Sequence, residues 1–329
     1  MGRIGRRRFL AALGSTAIAI PAIRAAWSAE GVPRVGWLSP GTVKSHGHHL
    51  VAFKQGLADY GYEVGTTILV EERWANGRLD AVPGLARGLV ALDVRAIVVG
   101  STPVAMRVFG VTNRIPIIHA TGINPVMAGL AVNLAKPGGN VTGITTLSES
   151  LVPKLVQLMH EALPQARNVC AIYNPMNTSA SFFVDQVYQT SAAYWDVAII
   201  PVRNHEELPR VLGARAAAKP DAMLVLPDPI LLALRRDIVK RLNEAQFPAM
   251  FPFSEYVKAG GLMSYGVYLP GNYRRAAHFV DRILKGEAAG NLPVEQPREF
   301  EFVVNLRTAQ ALKVEIPHSI LLRADQVIE

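Results

Sequence analysis

From Arg34 onward, short apolar runs alternate with segments in which apolar residues recur at helical spacing. The run 34–39 reads as a buried strand ending at a Pro40-Gly41 turn. Residues 48–60 then carry Leu50, Phe53, Leu57 and Tyr60 on one helical face, stopped by Gly61. The alternation continues with a strand over 66–74, a helix over 79–92, and strands over 95–100 and 116–120. After Pro137-Gly138-Gly139 the pattern restarts with a strand over 141–145. Helices over 151–163, 179–194, 206–217 and 230–244 then alternate with strands over 168–174, 197–202, 222–227 and 249–251. Near-continuous apolar strands between amphipathic helices predict parallel sheets covered on both faces. Two such runs predict an α/β fold of two doubly wound parallel-sheet lobes.

Ligands of such sheets sit beyond the carboxyl ends of the strands. That rule nominates the loops 39–44, 101–103, 121–125, 174–178, 227–229 and 251–255, which line one cleft if the lobes face each other.

The length, 329 residues, suits two domains, and 50% hydrophobic against 18% charged residues excludes general disorder. A single cysteine, Cys170, excludes a disulfide scaffold and reads as a small buried apolar residue. The formal net charge of +8 would suit a nucleic-acid or membrane-surface partner. Its distribution argues otherwise. Arg3, Arg6, Arg7, Arg8 and Arg24 all precede the first acid, Glu30, so beyond residue 29 the formal excess is only +3. Between Arg8 and Arg24 lie 15 uncharged residues, fewer than the roughly 20 a spanning helix needs. A basic start, an apolar core and the small-x-small site Ala26-Trp27-Ser28 predict an export signal over 1–29, cleaved near 26–29. Arg6-Arg7-Arg8-Phe9-Leu10 resembles a twin-arginine signal, with Gly5 and Ala11 departing from the usual pattern. With no cysteine near the cleavage site to carry lipid, the expectation is a periplasmic protein without a membrane anchor.

Enzyme templates find no match. The chain lacks a phosphate-binding G-x-x-x-x-G-K-[ST] loop, and no G-x-G-x-x-G follows the first strand. The glycine-rich run 137–143 precedes a strand and reads as a tight turn. Leu262 occupies the position where a G-x-S-x-G elbow around Ser264 would need glycine. No catalytic residue, cofactor or metal site is assigned. His46, His48 and His49 cluster in the first cleft-facing loop and could ligate zinc, but no fourth ligand is adjacent in sequence. On a helix, His48 and His49 would face different directions. A polar loop and a ligand contact are the other readings. Arg235-Arg236 and Arg274-Arg275 read as solvated helix faces, and basic-aromatic arrays for nucleic acid are missing.

Ordered blocks along the mature chain carry a family resemblance. They include Phe53-Lys-Gln-Gly-Leu-Ala-Asp-Tyr-Gly-Tyr62, Asn124-Pro-Val-Met-Ala-Gly-Leu130 and Leu134-Ala-Lys-Pro-Gly-Gly-Asn-Val-Thr-Gly143. Gly260-Gly-Leu-Met-Ser-Tyr-Gly266, Tyr273-Arg-Arg-Ala-Ala277 and Leu322-Arg-Ala-Asp-Gln-Val-Ile-Glu329 continue them. The chain resembles the ABC-importer substrate-binding proteins of the tryptophan/tyrosine type, departing from them at Asn124, where Asp is usual. The resemblance implies a type I periplasmic binding fold whose lobes are joined by three hinge crossovers, near 142–147, 264–267 and 295–300. One lobe would then comprise 30–144 plus 266–296 and the other 145–265 plus 297–329. It also implies a monomer that captures a small polar or aromatic, amino-acid-like solute and delivers it to an ABC permease and its ATPase. A sensing subunit for a membrane receptor is the alternative, and an enzyme using the same cleft is a further one.

For such a solute, Ser101, Thr102 and Thr121 suit a carboxylate, and Asp228, between Pro227 and Pro229, suits an ammonium. Tyr173, Phe251, Tyr265 and Trp37 offer flat contacts. Ser39, Asn124 and Asn174 complete the candidate set on the nominated loops. Asp228 also fits a helix N-cap, and Trp37 and Phe251 also fit a core.

Overall fold

The computed structural model describes residues 31–146, 148–216 and 220–329, so the export signal expected over 1–29 lies outside the described residues. Two sheets organise the chain. The first contains β1 (Arg34–Ser39), β2 (Leu69–Trp74), β3 (Ile97–Val99), β4 (Ile117–His119) and β5 (Val141–Gly143), in the order β2-β1-β3-β4-β5 and all parallel. The second contains β6 (Asn168–Tyr173), β7 (Asp196–Pro201), β8 (Ala222–Val225), β9 (Ala249–Phe251), β10 (Met263–Val267), β11 (Phe300–Asn305) and β12 (Gln326–Ile328). Its order is β12-β11-β10-β9-β8-β6-β7.

Helices α1 (Val43–Asp59), α2 (Val82–Ala91) and α3 (Thr102–Phe109) connect strands of the first sheet. Helices α4 (Ser148–Ala162), α5 (Ala180–Ser191), α6 (Glu207–Ala216), α7 (Pro229–Ala233), α8 (Arg235–Glu244) and α9 (Ser254–Val257) belong to the second run. They are followed by α10 (Leu269–Leu284), α11 (Leu306–Ala311) and α12 (His318–Leu321). Every residue of β3, β4, β8 and β9 is buried, as expected for central strands covered on both faces. The edge strand β2 instead carries Glu71, Glu72 and Arg73, charges that discourage further pairing.

The chain passes between the sheets three times: after β5, between β10 and α10, and before β11. Two of these passages lie side by side, where Ile144 bridges to Glu295. Helix α10 returns to the first sheet and packs along α1 so closely that a Cβ on Gly56 would lie 2.2 Å from the Arg274 carbonyl oxygen. Only glycine permits that approach.

Several elements differ from the sequence pattern. The strand at 141 opens no new sheet; it pairs with β4 as the last strand of the first one. Strand β11 runs antiparallel to β10, because it enters from the third crossover rather than through a covering helix. Helix α1 begins at Val43, not 48. Thr42 Oγ1 accepts from the Ser45 amide (3.1 Å) and Ser45 Oγ accepts from the Thr42 amide (3.0 Å), a reciprocal cap. The histidine cluster therefore lies on a helix rather than in a loop. The helix expected over 230–244 divides at Leu234, where Arg235 turns inward and donates to the carbonyls of Leu232 and Ser45, both at 3.0 Å. Arg235 is thus buried, not a solvated face. Arg274 and Arg275 are ion-paired with Asp59 and Glu295. Cys170 is a buried strand residue.

Candidate functional site

The carboxyl ends of the two sheets face a common cleft. From the first sheet come residues 100–103 after β3, 121–123 after β4, and Thr146. From the second come Asn177, Ser179 and Phe183 after β6, residues 227–229 after β8, and Phe253 after β9. His46, Leu269 and Tyr273 complete the wall from α1 and α10.

The wall of the first sheet is built of hydroxyls and backbone. Ser101 caps α3, its Oγ accepting from the Val104 amide at 3.4 Å. Thr102 Oγ1 accepts from the Ile123 amide at 3.0 Å and lies 3.4 Å from Nε2 of the fully buried His119. Burial pulls His119 down to about 4, so its imidazole is neutral at physiological pH. The turn between them requires Gly122: its φ is +145°, and a Cβ would lie 2.3 Å from Thr102 Oγ1 and 2.4 Å from His119 Nε2. Thr146 clamps the same turn, donating its hydroxyl to the Gly122 carbonyl at 2.9 Å.

The opposite wall centres on Asp228, which is 4% exposed. Oδ1 accepts from the amides of Ile230 (2.7 Å) and Leu231 (2.8 Å), capping α7. Asn174 Nδ2 donates to both carboxylate oxygens at 3.2 Å, and Asn177 Nδ2 to Oδ2 at 3.0 Å. Burial nevertheless pushes the carboxyl up to about 6, outweighing the downward pull of these donors. Beside it, Ser179 Oγ is buried without a hydrogen-bond partner and borders the cleft. Phe183, Leu232 and Phe253 supply apolar surface on the same side.

Of the candidate residues, the structure brings Ser101, Thr102, Thr121 and Asp228 to the cleft. Asn174 stands one layer behind, holding Asp228. Ser39 accepts from the Gly41 amide (3.3 Å) and Asn124 from the Val126 amide (2.9 Å), so each braces its own turn. Phe251 is buried and stacked on Tyr256. Tyr265 stacks on Phe300, and Tyr173 packs half-buried against the core of the second sheet. Trp37 is buried against Phe53 and Tyr273. These aromatics contribute to the cores, not to the cleft wall.

The sequence profile of the ABC transporter substrate binding protein family matches residues 45–328, nearly the whole described chain. The chain belongs to this family. A curated relative, the tyrosine-binding protein of Clostridioides difficile, is 26% identical over 264 residues, 80% of this chain and 76% of the relative. A conserved domain protein from Vibrio cholerae superposes with a TM-score of 0.84 at 25% identity, covering 90% of this chain and 99% of that one. An ABC domain from Streptococcus pneumonia, solved in complex with L-Trp, superposes with a TM-score of 0.82 at 24% identity, over 91% of this chain and 100% of the other.

In this substrate-binding protein, the cleft residues absent from the sequence candidates are mainly Ser179, Phe183, Leu269 and Tyr273, whereas Phe253 lies in the nominated loop 251–255 and His46 carried a ligand-contact reading. Leu269 and Tyr273 line the cleft from one face of α10, an i, i+4 pair whose spacing is visible in the sequence but equally fits a core. A second cluster lies beside the cleft. His48 and His49 of α1 both direct Nε2 to Glu255 Oε1 of α9, at 3.6 and 3.3 Å. Successive helical residues are about 100° apart, and these two imidazoles bridge that angle because a carboxylate from another element lies between them. Burial pulls His49 down to about 4 against the attraction of Glu255, and pulls His46 well below its ordinary value. Among the described residues, no helix is long and apolar enough to cross a membrane.

Proposed function

We propose that this protein is the solute-binding component of an ABC importer, taking an aromatic amino acid into the cleft between the two sheets. The observation that carries this reading is the division of polar groups across the cleft. Hydroxyls of Ser101, Thr102 and Thr121 stand on one wall, and the Asp228 carboxylate with the unpartnered Ser179 hydroxyl stands on the other. A solute with a carboxylate and an ammonium matches that division, and Phe183, Phe253 and Tyr273 offer surface for an aromatic side chain. The relatives named for tyrosine and solved with L-Trp support the same ligand class.

The lobes comprise 30–144 plus 266–296 and 145–265 plus 297–329, and they close on the solute about the three crossovers. The closed, loaded monomer then docks on the permease and its ATPase. Residues 1–29 direct export to the periplasm and are removed there. The cleft binds and releases its solute without chemical change.

The test is a thermal-shift and calorimetric panel of L-tyrosine, L-tryptophan, L-phenylalanine, L-leucine and 3-(4-hydroxyphenyl)propionate, which lacks the ammonium. Saturable stabilisation by the aromatic amino acids is expected, about 2.7 kcal/mol at a hundredfold excess over Kd. Their affinity should fall below pH 6 as Asp228 takes up a proton, while the propionate shows no such fall. Stabilisation by none of the amino acids, or consumption of the ligand with time, overturns the reading. Solute-dependent uptake into vesicles holding the permease and ATPase tests the delivery step.

A further inference from the structure

We propose that His48, His49 and Glu255 form a three-ligand site for a divalent transition-metal ion of the zinc class, tying the helix after β1 to the helix after β9. In sequence the three neighbouring histidines lack a nearby further ligand; the fold brings His48 and His49 to a carboxylate 206 positions away from His49. One ligand atom from each residue lies within 4.8 Å of the others, compact enough for a single ion to draw all three inward. Two imidazoles and one carboxylate are a donor set suited to Zn2+, Co2+ or Ni2+ rather than to Mg2+ or Ca2+.

Glu255 provides the second observation. It is 7% exposed, and its Oε2 is buried with no hydrogen-bond partner, while Oε1 is shared by the two histidines. Arg235, the nearby permanent cation, spends its Nη1 on the carbonyls of Ser45 and Leu232. A buried carboxylate oxygen without a donor is costly, and a metal ion bound at the carboxylate relieves that cost.

The imidazoles are positioned in advance. His49 stacks on the Tyr273 ring, centroids 4.4 Å apart and planes 15° from parallel, with its free Nδ1 buried. His48 packs against His49 at 4.0 Å and keeps 38% of its side chain exposed, which leaves a path for the ion and room for a water as fourth ligand. His46 is not part of the set, because its Nδ1 is hydrogen-bonded to Ser45 Oγ at 2.8 Å. Since α1 follows a strand of the first sheet and α9 a strand of the second, a bound ion ties the two together.

The experiment titrates Zn2+ into the chelator-stripped protein by calorimetry, and Co2+ by visible absorption. The expected result is one saturable site per chain with the ligand-field bands of low-coordinate Co2+, and a rise in melting temperature on loading. His48→Ala is the primary variant, because the side chain is partly exposed and the fold survives its loss; it should weaken Zn2+ binding by roughly tenfold or more. Glu255→Gln, which keeps the side chain's shape, should do the same. His205→Ala, at an exposed histidine paired with Asp237, should change nothing. Absence of saturable binding overturns the site, and so does binding that His48→Ala leaves unchanged. Neither result bears on solute binding, which is read separately with the amino-acid panel in chelator.

Discussion

Asp228 and Glu255 are two buried carboxylates that follow neighbouring parallel strands of the same sheet, and although burial pushes both upward, their acidities end on opposite sides of the ordinary value. Asp228 is surrounded by amide donors, two from the backbone of α7 and two from Asn174 and Asn177. Burial still raises it to about 6. For Glu255 burial also pushes upward, yet hydrogen bonds from His48 and His49 hold its carboxyl well below the usual carboxylate range. The amide donors around Asp228 reduce the cost of burial without cancelling it, whereas the two imidazole hydrogen bonds on Glu255 outweigh it. One site is therefore poised to gain from an arriving cation such as an ammonium group. The other is held by groups that also ligate metals.

The largest effect expected from this contrast is in pH dependence. The Asp228 carboxyl is raised in the folded state, so its ionisation destabilises the fold. That cost is absent below about pH 3.8 and fully present above about pH 6. Comparing wild type with Asp228→Asn by urea unfolding from pH 4 to 7 should therefore show the wild type losing up to about 3 kcal/mol relative to the variant. A flat difference would remove the contrast at its source.

Next in size is Asp228→Ala at pH 7. It strands the amides of Ile230 and Leu231 and the side-chain amides of Asn174 and Asn177. We expect a loss of about 2 kcal/mol, net of the relief from removing a buried charge. Glu255→Ala, measured with chelator present, should cost only about 1 kcal/mol. His48 reaches solvent and can turn to water when its acceptor is lost, whereas the buried amides of Ile230 and Leu231 cannot replace their cap. The reverse order of these two variants would show that the imidazole cluster, not the capped acid, is the stronger constraint.

The legibility of the cleft follows the same division between local and distant partners. Ser101, Thr102 and Asp228 were readable because each sits where a buried run gives way to a proline and a helix. Glu255 stood at the end of a nominated loop, but nothing local distinguished it from a solvated acid. Tyr273 and Phe183 lie inside helices, where an aromatic at apolar spacing reads as core. Trp37, Phe251 and Tyr265 lie off the cleft wall for the converse reason: a strand residue alternates faces, and theirs pack against helices or neighbouring rings. The start of α1 did carry a local signal, the cap of Thr42 and Ser45, obscured by Gly47 within the helix.

What the sequence determined alone was the set of elements and their class. Apolar periodicity and turn chemistry act within a few residues, and they suffice to specify buried parallel strands between covering helices. The partners of each side chain were decided only in three dimensions. Strand β5 joined the first sheet, β11 reversed its direction, Arg235 turned inward, and two adjacent histidines converged on a distant carboxylate. Such pairings depend on which elements the chain brings back to one place, a property of topology rather than of any local pattern.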